Sequence, residues 1–185
     1  MRAIWLEVPQ EFLDERARLG HDKMDELWDG ELHMVPPPSY SHDFVTYDLL
    51  YALTPIAVRR GWRAHGPTSG LFEAPKNYRL PDVTLFRPER VTKPGLAGAE
   101  LVVEVLSPYD ESRKKLGFYA QLGIRELWLV EPSSRAIEIY TLAGTSYAPV
   151  AATAGVFTSP ELGITLEVIA GPKLRLREGD YVVDV

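Results

Sequence analysis

No cysteine occurs among the 185 residues, which excludes disulfides, thiolate catalysis and cysteine-ligated zinc together. A metal site in this chain would have to be built from oxygen ligands, with histidine as the other option, and such a set suits hard cations. An apolar run of membrane-spanning length is also missing. The opening MRAIWLEVPQ has neither the long apolar core nor the small-residue cleavage site of a secretory signal, so a cytoplasmic protein is expected. Positive charge is scarce: 20 lysines and arginines stand against 26 acidic residues, for a net charge of -6. That balance argues against a general nucleic-acid coat, because non-specific affinity comes from cations that neutralise phosphates. It leaves room for a local basic groove. Eight of the basic residues fall between Arg59 and Lys93, and Arg113, Lys114 and Lys115 form a second cluster, although charge runs are more often solvated surface than binding site. No repeat, low-complexity tract or linker interrupts the chain. At this length, with 45% hydrophobic residues, one well-filled core is possible and two ordinary domains are not. A single domain over residues 1–185 is expected.

Hydrophobic periodicity and turn residues give a mixed α/β reading. Residues 9–19 carry Phe12, Leu13 and Leu19 at helical spacing and end at Gly20, a natural C-terminal cap. Asp29-Gly30 between two apolar runs predicts a tight hairpin. After the break at Pro36–Pro38, Ser39 or Ser41 can cap a helix with Phe44, Val45, Leu49, Ala52, Leu53 and Ile56 on one side, which Pro55 should kink or end. From Trp62 onward short β-type runs prevail, the clearest at residues 78–86 and 101–106. A helix over residues 112–122 precedes the apolar run LWLV and a closing hairpin formed by residues 136–142 and 147–150. The C-terminal ELGITLEVIAG and KLRLREGD segments alternate weakly and read as edge strands.

Three residues carry chemistry. Glu104 interrupts LVVEVL, a strand apolar enough to be covered on both faces. A carboxylate placed there requires a cation or a lysine, because an unpaired buried charge costs several kcal/mol or more. Asp82, in RLPDVTLF, lies eleven residues before Lys93, and Glu104 lies eleven after it. A hairpin centred near Lys93-Pro94-Gly95 would set the two carboxylates opposite each other on one face, within reach of a single ion. A one-residue slip would send one of them to the other face. In SRKKLGFYAQLG, Lys115 falls within the helical stripe of Phe118, Tyr119 and Leu122, whereas Lys114 falls on the polar side. A lone lysine on such a stripe usually snorkels to the surface, but two nearby carboxylates favour an inward-pointing one. Ser107 lacks a nucleophile elbow. His21, His33 and His65 lack metal-ligand spacing. The tryptophans are possible base-stacking platforms, except Trp128, which reads as core.

Pro81-Asp82 followed by a glutamate inside an apolar strand resembles the PD-(D/E)XK nuclease superfamily, with one departure: Leu106 occupies the usual lysine position. The longer order WDGEL, PPPSYSH, LPDVTLF, ELVVEVLSP, Lys115, Tyr119, Gly123 and ELWLVEP is similar to the Uma-type restriction-endonuclease family, in which the lysine has migrated to the following helix. The resemblance covers roughly residues 27–132. It implies a restriction-endonuclease-like core, in which a mixed central sheet is flanked by helices and preceded by an N-terminal helix and hairpin. It further implies that Asp82 and Glu104, helped by the Val105 carbonyl, hold Mg2+ or Mn2+ while Lys115 orients the attacking water. Glu31 and His42 share the family pattern and are weaker site candidates. The expected partner is nucleic acid, DNA rather than RNA, with the chain as a homodimer or higher homo-oligomer. Two alternatives stay open: an acid and base pair acting on a non-nucleic substrate such as a glycoside, and an inactive nuclease-fold module that binds nucleic acid or protein.

Overall fold

The structure is a computed structural model that describes residues 8–108 and 110–185. Helix α1 (Gln10–Leu19) ends at Gly20 in the left-handed conformation, as its sequence predicts. Strands β1 (Glu26–Trp28) and β2 (Glu31–His33) form the expected hairpin, with Asp29 and Gly30 both at positive φ, the signature of the turn that matches strand twist. Helix α2 (Tyr40–Arg59) starts at Ser39, whose hydroxyl accepts the His42 N–H at 3.3 Å. Pro55 lies inside α2 and does not end it. The buried residues Val45, Leu49, Ala52, Leu53 and Ile56 hold the helix to the core on both sides of the missing N–H, so packing outweighs one lost backbone bond.

The central sheet has six strands in the order β10-β9-β8-β7-β6-β3. These are β3 (Arg63–His65), β6 (Val83–Phe86), β7 (Leu101–Val105), β8 (Glu126–Val130), β9 (Ile137–Ala143) and β10 (Ser146–Pro149). Strands β7 and β8 are parallel and the other neighbours antiparallel, giving the mixed sheet that was expected. Between β7 and β8 the chain makes a 3-10 turn at Ser112–Lys115 and helix α3 (Leu116–Gln121). All five residues of β7 are buried. Val83, Leu85, Leu101, Val103 and Val105 meet α2 on one face. Phe86, Val102, Leu127 and Leu129 pack with Phe118 and Tyr119 of α3 on the other.

Two features differ from the sequence reading. The run over residues 78–86 is two strands in two sheets. Its first part belongs to β5 (Asn77–Arg79), which joins β1, β2 and β4 (Leu71–Ala74) in the order β2-β1-β5-β4. Leu80 to Asp82 break the strand, and Pro81 has no N–H to carry a ladder through. The C-terminal segments are not edge strands of the central sheet. They are the inner strands β12 (Thr165–Ile169) and β13 (Lys173–Glu178) of a separate meander, flanked by β11 (Val156–Thr158) and β14 (Tyr181–Asp184). Their alternation is weak because only one face, carrying Leu166, Leu174 and Leu176, meets the core.

Candidate active site

The β6–β7 register pairs Val83 with Val103, Thr84 with Val102 and Leu85 with Leu101. Continued by one residue, it sets Asp82 opposite Glu104, with Lys93 at the midpoint. Asp82 lies between Pro81 and the start of β6, and its Oδ2 accepts the Val105 N–H at 2.7 Å. His42, in the first turn of α2, places Nε2 3.3 Å from the same oxygen. Burial alone would lower the His42 pKa. The Asp82 carboxylate, with Asp43 and the Val105 backbone, outweighs it and leaves the pKa raised.

Glu104 is buried on the α3 face, and one of its oxygens accepts from Lys115 Nζ at 3.1 Å and from the Tyr119 hydroxyl. Residues 115 and 119 are one helical turn apart and therefore reach the same carboxylate together. Burial pushes the Glu104 carboxyl up to about 8 against the pull of Lys115, with Asp82 and Glu26 adding to the rise. Lys115 moves upward as well. Burial disfavours its charge, but Glu104 and Glu26 more than compensate. Lys114 is exposed and pairs with Glu111 on the surface. The periodicity argument thus separated the two lysines correctly.

Glu26 is the residue that the sequence reading missed. Its Oε1 accepts from Lys115 Nζ at 2.9 Å and from the Leu80 N–H at 2.7 Å, and its Oε2 accepts from Trp28 Nε1 at 2.7 Å. Strand β1 is held in place by the buried Arg79. The Arg79 guanidinium lies 4.5 Å from the Trp28 ring centre and 4.2 Å from that of Phe118 and donates to the Leu27 carbonyl at 2.9 Å. The available signal was a tripeptide, Glu26-Leu27-Trp28, repeated at Glu126-Leu127-Trp128. In both copies the tryptophan indole donates to the glutamate two residues earlier. Tyr119 entered the sequence reading only through the helical stripe and the family pattern; its bond to Glu104 follows from the four-residue spacing from Lys115.

Glu31 is exposed on β2, and neither the Asp82–His42 pair nor the bonded group of Glu104, Lys115, Tyr119 and Glu26 extends to it. The arginines of the run from Arg59 to Lys93 are dispersed over the fold. Arg59 and Arg60 bind Glu178, Arg79 is buried under α3, and Arg87 and Arg90 bind Glu100 at the far end of β6 and β7. Among the described residues, no group of three or more histidine and acidic side chains has the arrangement of a protein-only metal cage. No described helix is long and apolar enough to cross a membrane.

The model of the Uma2 family, described as "Putative restriction endonuclease", matches residues 9–171. The chain belongs to the Uma2 family. Among solved structures, this Uma2 chain is similar to a protein from Anabaena variabilis ATCC 29413 described as "a putative nuclease belonging to DUF820". The TM-score is 0.63 at 18% identity, over 82% of this chain and 90% of that one. That likeness establishes the fold, which is restriction-endonuclease-like. A search of curated proteins gives no match. The family description points to a nuclease.

Proposed function

We propose that this Uma2 protein is a divalent-cation-dependent endonuclease acting on DNA, with Asp82, Glu104 and Lys115 as its catalytic residues. The observation that carries this reading is the position of Lys115 Nζ, which comes from the helix after the Glu104 strand and lies on the Glu104 carboxylate. The site has the lysine the chemistry needs although Leu106 holds its customary place. Asp82, Glu104 and the Val105 carbonyl would hold Mg2+ or Mn2+, with Lys115 nearby. These donors fit such an ion, which keeps several waters and needs only one or two carboxylates in addition to substrate oxygens. A bound ion supplies a water of lowered pKa and screens the charge gathering on the scissile phosphate.

The protein's own groups do the rest. Lys115, with its pKa raised by two carboxylates, stays a cation and is no base near neutrality. It therefore orients the attacking water and stabilises negative charge on the phosphoryl oxygens. Glu26 and Tyr119 fix Lys115 and Glu104 in place, and His42 sets the Asp82 carboxylate. Cutting both strands of a duplex with one such site per chain calls for two copies acting together.

Calorimetric titration with Mn2+ tests the reading. One site per chain that is lost in Asp82→Asn, together with Mn2+-dependent nicking of plasmid DNA, supports it. Unchanged Mn2+ binding in Asp82→Asn would overturn the assignment. The alternative, an inactive nuclease-fold module, draws on the compensation Glu104 already receives from Lys115 and Tyr119 without an ion. It is the outcome if neither binding nor cleavage appears.

A further inference from the structure

Helix α2 has two apolar faces. One carries Val45, Leu49, Ala52 and Ile56 and is buried against the central sheet. The other carries Tyr40, Phe44, Tyr47, Tyr51, Thr54 and Val58, spaced alternately four and three residues apart. At 100° per residue these six side chains fall within one stripe less than a third of a turn wide, the pattern of a helix–helix seam. This second face is open to solvent: Tyr40 is 85% exposed, Tyr51 75%, Phe44 65%, Val58 59% and Tyr47 58%. Large aromatic groups in a contiguous row along about 30 Å of helix are the composition of an interface core, not of ordinary surface.

We infer that this face of α2 is the docking surface for a second copy of the same chain, packed antiparallel about a two-fold axis near Leu49. Tyr40 and Val58, Phe44 and Thr54, and Tyr47 and Tyr51 are each equidistant from Leu49, so every stripe residue of one chain meets a stripe residue of the other. Charge selects the direction. Parallel packing would align the two helix dipoles, whereas antiparallel packing opposes them and brings the negative C-terminal end of each helix toward the positive N-terminal end of its partner. The area suffices. At about 150–250 Å2 per fully buried aromatic side chain, the exposed parts of the four aromatic residues give roughly 800–1,400 Å2 over two copies, on the scale of about 1,000 Å2 that a specific interface needs.

A nucleic acid stacked on the same rings fits less well. No lysine or arginine occurs between Lys23 and Arg59, while six carboxylates fall in that stretch, and a polyanion would meet repulsion there. The inference is independent of catalysis, since no stripe residue belongs to the site.

Sedimentation equilibrium on the full chain at tens of micromolar should give twice the monomer mass. Tyr47→Glu and Tyr51→Glu, each placing two charges at the centre of the seam, should raise the dimer dissociation constant on the order of 10²-fold or more. Their circular dichroism should stay unchanged, because both residues are exposed in the single chain, while their melting temperature should lose the dependence on protein concentration that a dimer shows. The absence of native cysteine allows a second measurement. Mixing Tyr47→Cys with Tyr51→Cys chains under oxidant should give the mixed cross-link in preference to either self-cross-link. A monomeric wild type, variants that remain dimeric, or dominant self-cross-links would overturn the inference. So would loss of single-stranded DNA binding in Tyr47→Glu with no change in mass.

Discussion

Lys114 and Lys115 are adjacent in sequence and opposite in surroundings: one salt-bridged at the surface, the other held between two buried carboxylates. Lys115→Ala should lower DNA cleavage on the order of 10² to 10⁴-fold, the range for loss of a positioned catalytic group, while Mn2+ still binds. Lys114→Ala should leave the rate within a few-fold of wild type; equal losses in a plasmid-nicking assay would refute the distinction. Glu104 makes the site pH-sensitive with a definite sign. Its carboxyl is pushed up to about 8 by burial, so the folded protein holds a proton that the unfolded chain releases near 4.5. Folding is therefore penalised progressively as pH rises from about 4.5 to about 8, and the penalty is constant above that window. Glu104→Gln, which cannot ionise, should gain stability relative to wild type across the same window in urea unfolding measured at its two ends. A constant difference would mean that Glu104 is ionised throughout in the folded state.

At the scale of elements, the tripeptide Glu-Leu-Trp serves two ends. In β1 it presents Glu26 to Lys115. In β8 the buried Glu126 accepts from Trp128 Nε1, from the Ser159 hydroxyl at 3.0 Å and from the Glu161 N–H at 2.7 Å, fastening the turn between β11 and β12 of the meander. Glu126→Ala would orphan three donors, two of them on fully buried side chains, and should cost about 2–5 kcal/mol of stability, read from the urea midpoint. Glu126→Gln should recover part of it. The elements differ in how far the sequence revealed them. Asp82 and Glu104 were legible because a two-residue period and a near-symmetric loop determine which residues oppose each other, and Lys115 because helical periodicity separates it from Lys114, although the helix read over residues 112–122 is a 3-10 turn at Ser112–Lys115 followed by the short α3. Glu26 was not. It reaches Lys115 across 89 positions through a sheet held by Arg79, and local pattern carries no record of which sheets pack together. The split of residues 78–86 was hidden for the same reason: both halves look like strand, and only the pairing partners differ.

For the whole molecule, the surface predicts weak attraction to duplex DNA. Several of its arginines are paired with carboxylates, as Arg59, Arg60, Arg87, Arg90 and Arg113 are, which lowers the positive charge they offer to phosphates. Binding in the absence of divalent ions should have a shallow salt dependence, with a logarithmic slope no steeper than about -3, corresponding to about three phosphate contacts. Fluorescence anisotropy from 50 to 200 mM salt measures it, and a slope near -6 would overturn this expectation. The ties between α2 and the C-terminal meander lead further. Tyr181 donates to the Ala52 carbonyl at 3.0 Å, Arg60 bridges to the Leu162 carbonyl and to Glu178, and Leu166, Leu174 and Leu176 share one core with Val45, Leu49 and Leu53. The meander cannot open without exposing the helix that carries His42. Its amide protons should accordingly exchange with deuterium in the same cooperative opening as those of α2, and an ion that steadies Asp82 and His42 should slow exchange in β12 and β13, strands that contribute no group to the site.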